Sequence, residues 1–76
     1  MAKKEDYLSL FGAKVKKLRE EKRMTLEELA HEVGLSSKEL HRIENGGRIT
    51  MELIFKLAAS LGVDVSELLI GMPKNI

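Results

Sequence analysis

Seventy-six residues with no cysteine and a formal net charge of +1 describe one small domain, with room for a helical core but little for an enzyme cleft or a separate sensor domain. The absence of cysteine excludes a disulfide framework and a thiolate metal site. A charge so near neutral excludes an indiscriminate polycation, so any binding to nucleic acid must rest on where the charges sit.

All basic residues except Lys56 and Lys74 fall within residues 1–48. The first predicted helix runs from about Lys4 to Lys22. Leu8, Phe11, Val15 and Leu18 recur at helical spacing as its apolar stripe, with Arg19 at the stripe's edge. The mixed signs from Lys14 to Arg23 read as a solvated face. Thr25 with Glu28, and Ser36 with Glu39, have the spacing of a capping box. Met24 to Leu29 and Leu35 to Leu40 have that of a hydrophobic staple. Two short helices are therefore predicted, turning at Gly34, whose permissive backbone suits a corner.

The second of these, from about Ser37 to Asn45, has two unlike faces at ~100° per residue. Leu40 and Ile43 form the inner one. Ser37, Lys38, His41, Arg42 and Asn45 share the outer arc, and all can donate a hydrogen bond to a base edge or phosphate. Glu44 lies beside Leu40 on the inner face. Since an isolated buried charge costs several kcal/mol, roughly, Arg19 and Glu44 are predicted to form a structural ion pair that fixes this helix against the first.

Asn45-Gly46-Gly47 ends that helix, and Arg48 opens a loop toward Thr50, the predicted N-cap of a fourth helix. In the fourth helix only Glu52, Lys56 and Ser60 interrupt the apolar residues from Met51 to Leu61, a wider apolar surface than one amphipathic face requires. Two surfaces to bury are expected. Asp64 with Glu67 repeats the capping-box spacing, and Val63 to Leu68 the staple, at the start of a short fifth helix. The fold class is thus all-α, one five-helix domain over residues 1–76 with its core at about 8–70 and its two-helix motif at 25–45.

These residues resemble the Cro and lambda-repressor class of helix-turn-helix regulators, the XRE-like family. The likeness covers Phe11 to Leu69: the FGAKVKKLREEKRMT entry, ELA in the first motif helix, Gly34, the IENG ending of the second, and KLAASLGVDVSELL after it. It implies a helix-turn-helix whose second helix lies in the major groove of double-stranded DNA. Ser37, Lys38 and Arg42 match positions that read bases in related repressors. The resemblance also points to the Arg19–Glu44 pair, since the family usually carries an Arg and a Glu there. Two positions depart from the pattern. Leu26 stands where relatives commonly have a phosphate-binding Gln, leaving a contact with a sugar or thymine methyl. Ile49 stands in a loop where Pro is common.

Thr25, Asn45 and Arg48 sit at helix ends or in the following loop and are assigned to phosphate, with N-capping a competing duty for Thr25. For His41 the alternatives are phosphate contact, protonation in the field of the DNA, and plain surface cover. Phe55, Leu69, Ile70 and Met72 are candidates for a homodimer contact across a two-fold axis; the alternative is that the tail through Ile76 folds back over the fourth helix. A dimer reads a near-palindromic operator.

Other chemistries fit less well. Ser37, His41 and Glu44 on one helix project in parallel and cannot converge as a catalytic triad. His31-Glu32 lacks the second histidine of a zinc-binding helix. No apolar run reaches membrane-spanning length and no signal peptide is visible, so a soluble, cytoplasmic chain is expected. The expected function is transcriptional regulation by operator binding, without a cofactor or enzymatic activity. The alternative is an antitoxin or adaptor-type module whose fourth- and fifth-helix surface binds another protein.

Overall fold

The apolar stripes anticipated along the chain converge on one core. The computed structural model describes residues 4–69 as five helices: α1 (Lys4–Glu21), α2 (Leu26–Val33), α3 (Ser37–Glu44), α4 (Met51–Leu61) and α5 (Val65–Leu69). Phe11 and Val15 of α1 pack with Leu29, Ala30 and Val33 of α2, Leu40 and Ile43 of α3, Leu57, Ala58 and Leu61 of α4, and Leu68 of α5. Removing each large aliphatic side chain from water contributes about 1.5–3 kcal/mol. Leu8 and Leu18 complete the α1 stripe from half-buried positions. The short α2 and α3 have little helical stability of their own and depend on this packing.

Four helices end in the same way. After α1, α2, α3 and α4 the residue with positive φ is Arg23 (59°), Gly34 (79°), Gly46 (99°) and Gly62 (73°) respectively. Its N–H donates to the carbonyl three residues back, and the next N–H donates five residues back. The second of these bonds joins Met24 to Arg19 (3.1 Å), Leu35 to Ala30 (2.8 Å), Gly47 to Arg42 (2.8 Å) and Val63 to Ala58 (3.0 Å). This Schellman arrangement satisfies carbonyls that a helix end leaves orphaned. Met24, Leu35 and Val63, which follow three of the turns, are half-buried against the core. The remaining turn, after α3, is followed by Gly47.

The helix starts agree with the sequence at three points and differ at one. Reciprocal capping boxes form at Thr25–Glu28 and Ser36–Glu39, and the Thr50 hydroxyl accepts the Leu53 N–H as the cap of α4. At α5 the Glu67 N–H donates to the Asp64 backbone carbonyl (2.9 Å), closing a turn without the reciprocal side-chain bonds that the Asp64–Glu67 spacing predicts. Asn45 caps α3 and is not part of it, and α1 stops at Glu21, one residue before the predicted end.

The wide apolar surface of α4 divides in two. Leu57, Ala58 and Leu61 are buried, whereas Met51 and Phe55 are 69% and 55% exposed. Leu69 on α5 and Leu10 on α1 are also exposed. Ile70, Met72 and the tail through Ile76 lie outside the described residues.

Candidate nucleic-acid interface

The placement of α3 is set from below by α1. The Arg19 guanidinium is bidentate on Glu44, Nε donating to Oε2 at 2.7 Å and Nη2 to Oε1 at 3.2 Å. Its Nη1 donates to the Met24 carbonyl at 2.9 Å, which ties the exit of α1 into the same knot. Both residues are nearly inaccessible, Arg19 at 9% and Glu44 at 6% exposure. The hydrogen bond to Glu44 raises the Arg19 pKa above its ordinary value; burial opposes this, and the Glu44 charge reinforces it. The buried cation therefore stays charged and needs its partner.

A second device is Gly12, whose role depends on a contact distant in the chain. Its backbone lies against the end of α3. A Cβ added there would stand 2.6 Å from the Glu44 carbonyl oxygen and closer still to the Ile43 carbonyl oxygen. One signal was available, because a glycine in a helix interior costs about 1 kcal/mol relative to alanine and so asks for a reason such as close backbone approach.

The start of α3 is fixed by Ser36. Its N–H donates to Glu39 Oε1 (2.9 Å), its hydroxyl donates to the same oxygen (3.2 Å), and the Glu39 N–H donates back to Ser36 Oγ (3.1 Å). The backbone bond first, then the hydroxyl, hold the Glu39 carboxyl below its usual range; burial opposes them and the Arg42 charge adds a smaller effect. A depressed carboxylate pKa contributes stability above the ordinary value and loses it as pH falls through the lowered one. This cap therefore weakens only in acid.

With its inner face held, α3 turns the rest outward. Lys38, His41, Arg42 and Asn45 are exposed, and Ser37 is half-buried at the first helical position. One Asn45 amide hydrogen is already engaged, Nδ2 donating to the His41 carbonyl at 2.8 Å, so the other amide hydrogen remains for a ligand. Thr25 is exposed at the start of α2, where its Oγ1 accepts the Glu28 N–H at 3.0 Å and its hydroxyl proton stays available. Arg48 is exposed in the loop after α3.

Arg42 and Arg48 line one open groove of ≈ 370 Å³, together with Glu39, Thr50 and an apolar floor that includes Leu35, Ile43, Ile49 and Leu53. Ile49 is half-buried against the core there, so packing takes the place of a proline ring in restraining the loop. Leu26 is likewise half-buried against the core, which leaves only part of its surface for a sugar or methyl contact. The chemistry offered by this face is donation: two guanidiniums, an ammonium, hydroxyls and an amide, suited to phosphate oxygens and to the acceptors of guanine.

The same geometry argues against a triad at Ser37, His41 and Glu44, because the Glu44 carboxylate is buried and committed to Arg19. Among the described residues no cluster of three or more His, Cys, Asp or Glu side chains is arranged to hold a metal ion. Among them too, no helix is long and apolar enough to cross a membrane.

Comparison with known proteins gives a consistent picture. The profile of the helix-turn-helix family matches residues 15–68. The clp gene regulator ClgR from Corynebacterium glutamicum superposes with a TM-score of 0.82 at 31% identity, over 84% of this chain and 69% of that one. The restriction-modification controller protein C.AhdI from Aeromonas hydrophila gives 0.77 at 32% identity, over 80% of this chain and 94% of that one. The master regulator for biofilm formation SinR of Bacillus subtilis, solved in complex with DNA, gives 0.71 at 33% identity, over 78% of this chain and 97% of that one. A search of the curated proteins finds no match.

Proposed function

The chain belongs to the helix-turn-helix family, and from that premise we propose that this DNA-binding transcriptional regulator acts in the cytoplasm as a homodimer on a near-palindromic operator. The observation that carries the reading is the division of α3. Its inner face is fixed by Leu40, Ile43 and the bidentate Arg19–Glu44 pair, while Lys38 and Arg42 are exposed on the outer one. A rigid helix with a donor-rich outer face is what a major groove accepts.

Roles follow from position. Ser37, Lys38 and Arg42 read bases, Arg42 or Lys38 donating to guanine O6 and N7. Thr25, Asn45 and Arg48 hold phosphates and set the register, and His41 adds a contact at the edge of the groove. The exposed Phe55 and Leu69, with Met51, supply apolar surface for a second copy. Two recognition helices then lie one helical turn of DNA apart, ~34 Å. Regulation is steric: the bound dimer blocks or recruits polymerase according to operator position, and no cofactor or enzymatic step is needed.

Two substitutions separate base from phosphate contacts. Arg42→Ala is expected to lose about 1–3 kcal/mol on the operator and to relax preference at one base position. Arg48→Ala is expected to weaken operator and random duplex alike and to reduce the slope of log affinity against log salt by about 1. Titrations of both variants at several salt concentrations check this. Identical behaviour of the two on both duplexes contradicts the assignment.

The exposed apolar surface of α4 also supports a second reading, in which it meets a different protein and DNA binding is secondary. Gel filtration with and without co-expressed neighbouring proteins separates the two. A heteromer as the only stable assembly, with no duplex bound, favours the second.

A further inference from the structure

The end of α3 departs from the other three Schellman turns in a way that bears on DNA reading. Met24, Leu35 and Val63 each place an apolar side chain after the turn and against the core, where Gly47 places none. Backbone conformation does not demand a glycine there: the positive φ belongs to Gly46, and Gly47 is not among the residues that adopt it. Space does. A Cβ at Gly47 would stand 2.8 Å from Arg42 Cγ, 2.9 Å from Arg42 Nη1 and 2.8 Å from the Arg42 carbonyl oxygen. The side chain of Arg42 thus lies across Gly47 from its stem to its guanidinium, in the place a side chain would take.

We propose that Gly47 is a specificity-positioning residue, its missing side chain forming the seat that orients Arg42 for base reading. The inference rests on the assignment of Arg42 as a base-reading residue. A side chain at 47 would exclude the arginine from this place, and a bidentate contact made from this orientation would then be lost or reached only at a cost. The nearness of Cγ to that position matters most, because a Cβ at 47 would displace the side chain near its root, where a shift redirects everything beyond it. The Arg42 carbonyl that the same Cβ would crowd is also the acceptor of the Gly47 N–H. The turn that ends the helix and the residue that reads the base are therefore set together.

A double-mutant cycle tests this on the full chain. Wild type, Gly47→Ala, Arg42→Ala and the double variant are compared on the preferred duplex and on duplexes changed at the position that Arg42→Ala relaxes. Gly47→Ala is expected to lower discrimination at that position about tenfold, to leave affinity for random duplex within about twofold, and to cause no further loss of discrimination in the Arg42→Ala background. Gly47→Ala with wild-type discrimination overturns the proposal, as does an equal loss with and without Arg42. Should crowding against the carbonyl prevent Gly47→Ala from folding, nuclear Overhauser contacts in the wild type decide: contacts between the Gly47 α protons and the Arg42 γ and δ protons are expected, and their absence overturns the seat. A wild type with no preferred duplex defeats the functional reading itself, which is distinct from a preferred duplex that Gly47→Ala reads equally well.

Discussion

Replacing Glu44 with alanine is expected to remove about 3–5 kcal/mol of folding stability. The loss comes from what remains, since Arg19 keeps its charge in a site where it is 9% exposed and its two bonds to carboxylate oxygens disappear. A domain of this size has about 5–15 kcal/mol in total, so the variant is close to unfolding. Its melting temperature is expected to fall by roughly 12–40 °C. Changing both residues, Arg19→Met with Glu44→Leu, is expected to recover much of the loss, because no buried charge is then left without a partner. Urea denaturation of the single and double variants measures both effects. An unchanged melting point for Glu44→Ala removes the pair from the account of how α3 is held.

Gly12→Ala is expected to be about as damaging, although it adds a single methyl group. Intrinsic helix propensity favours alanine by about 1 kcal/mol, so an account based on propensity alone predicts a more stable protein. Packing predicts the reverse. The methyl meets the carbonyl oxygens of Ile43 and Glu44, which are backbone atoms and cannot turn aside as a flexible side chain does. Relief requires α1 and α3 to separate, and that movement also strains the bidentate pair. We expect a net loss of about 3 kcal/mol, at the upper end of the usual cost of overpacking. The effects at positions 12 and 44 should not add, because both act on one contact. A stability equal to or above wild type in the same denaturation series contradicts the close approach.

Much of the fold was legible because local signals agreed with one another. The Thr25–Glu28 and Ser36–Glu39 spacings, the glycine at 34 and the stripe of Leu8, Phe11, Val15 and Leu18 each act within a few residues of chain, and local chemistry is what a sequence displays. The wide apolar surface of α4 was visible for the same reason. What was missed depends on contacts between distant segments. Nothing near Gly12 in the chain announces the carbonyls of Ile43 and Glu44, and nothing near Gly47 distinguishes a helix stop from a seat for Arg42. The absent box at Asp64 is a different failure, in which correct spacing closes through the backbone carbonyl and not through the side chains.

For the interface, the outer arc of α3 could be drawn at the helical angle, but the sequence did not show that an Asn45 amide hydrogen is turned back on the His41 carbonyl. It also did not show that Leu26 and Ile49 are partly taken up by the core. Both departures from the family pattern thereby acquire a packing role.

Selection of bound duplexes from a random pool by the wild-type protein, read together with the number of chains per duplex, tests the central claim most directly. The account predicts one enriched sequence made of two inverted half-sites about one helical turn apart, ~34 Å between centres, bound by two chains. Recovery of no preferred sequence contradicts it.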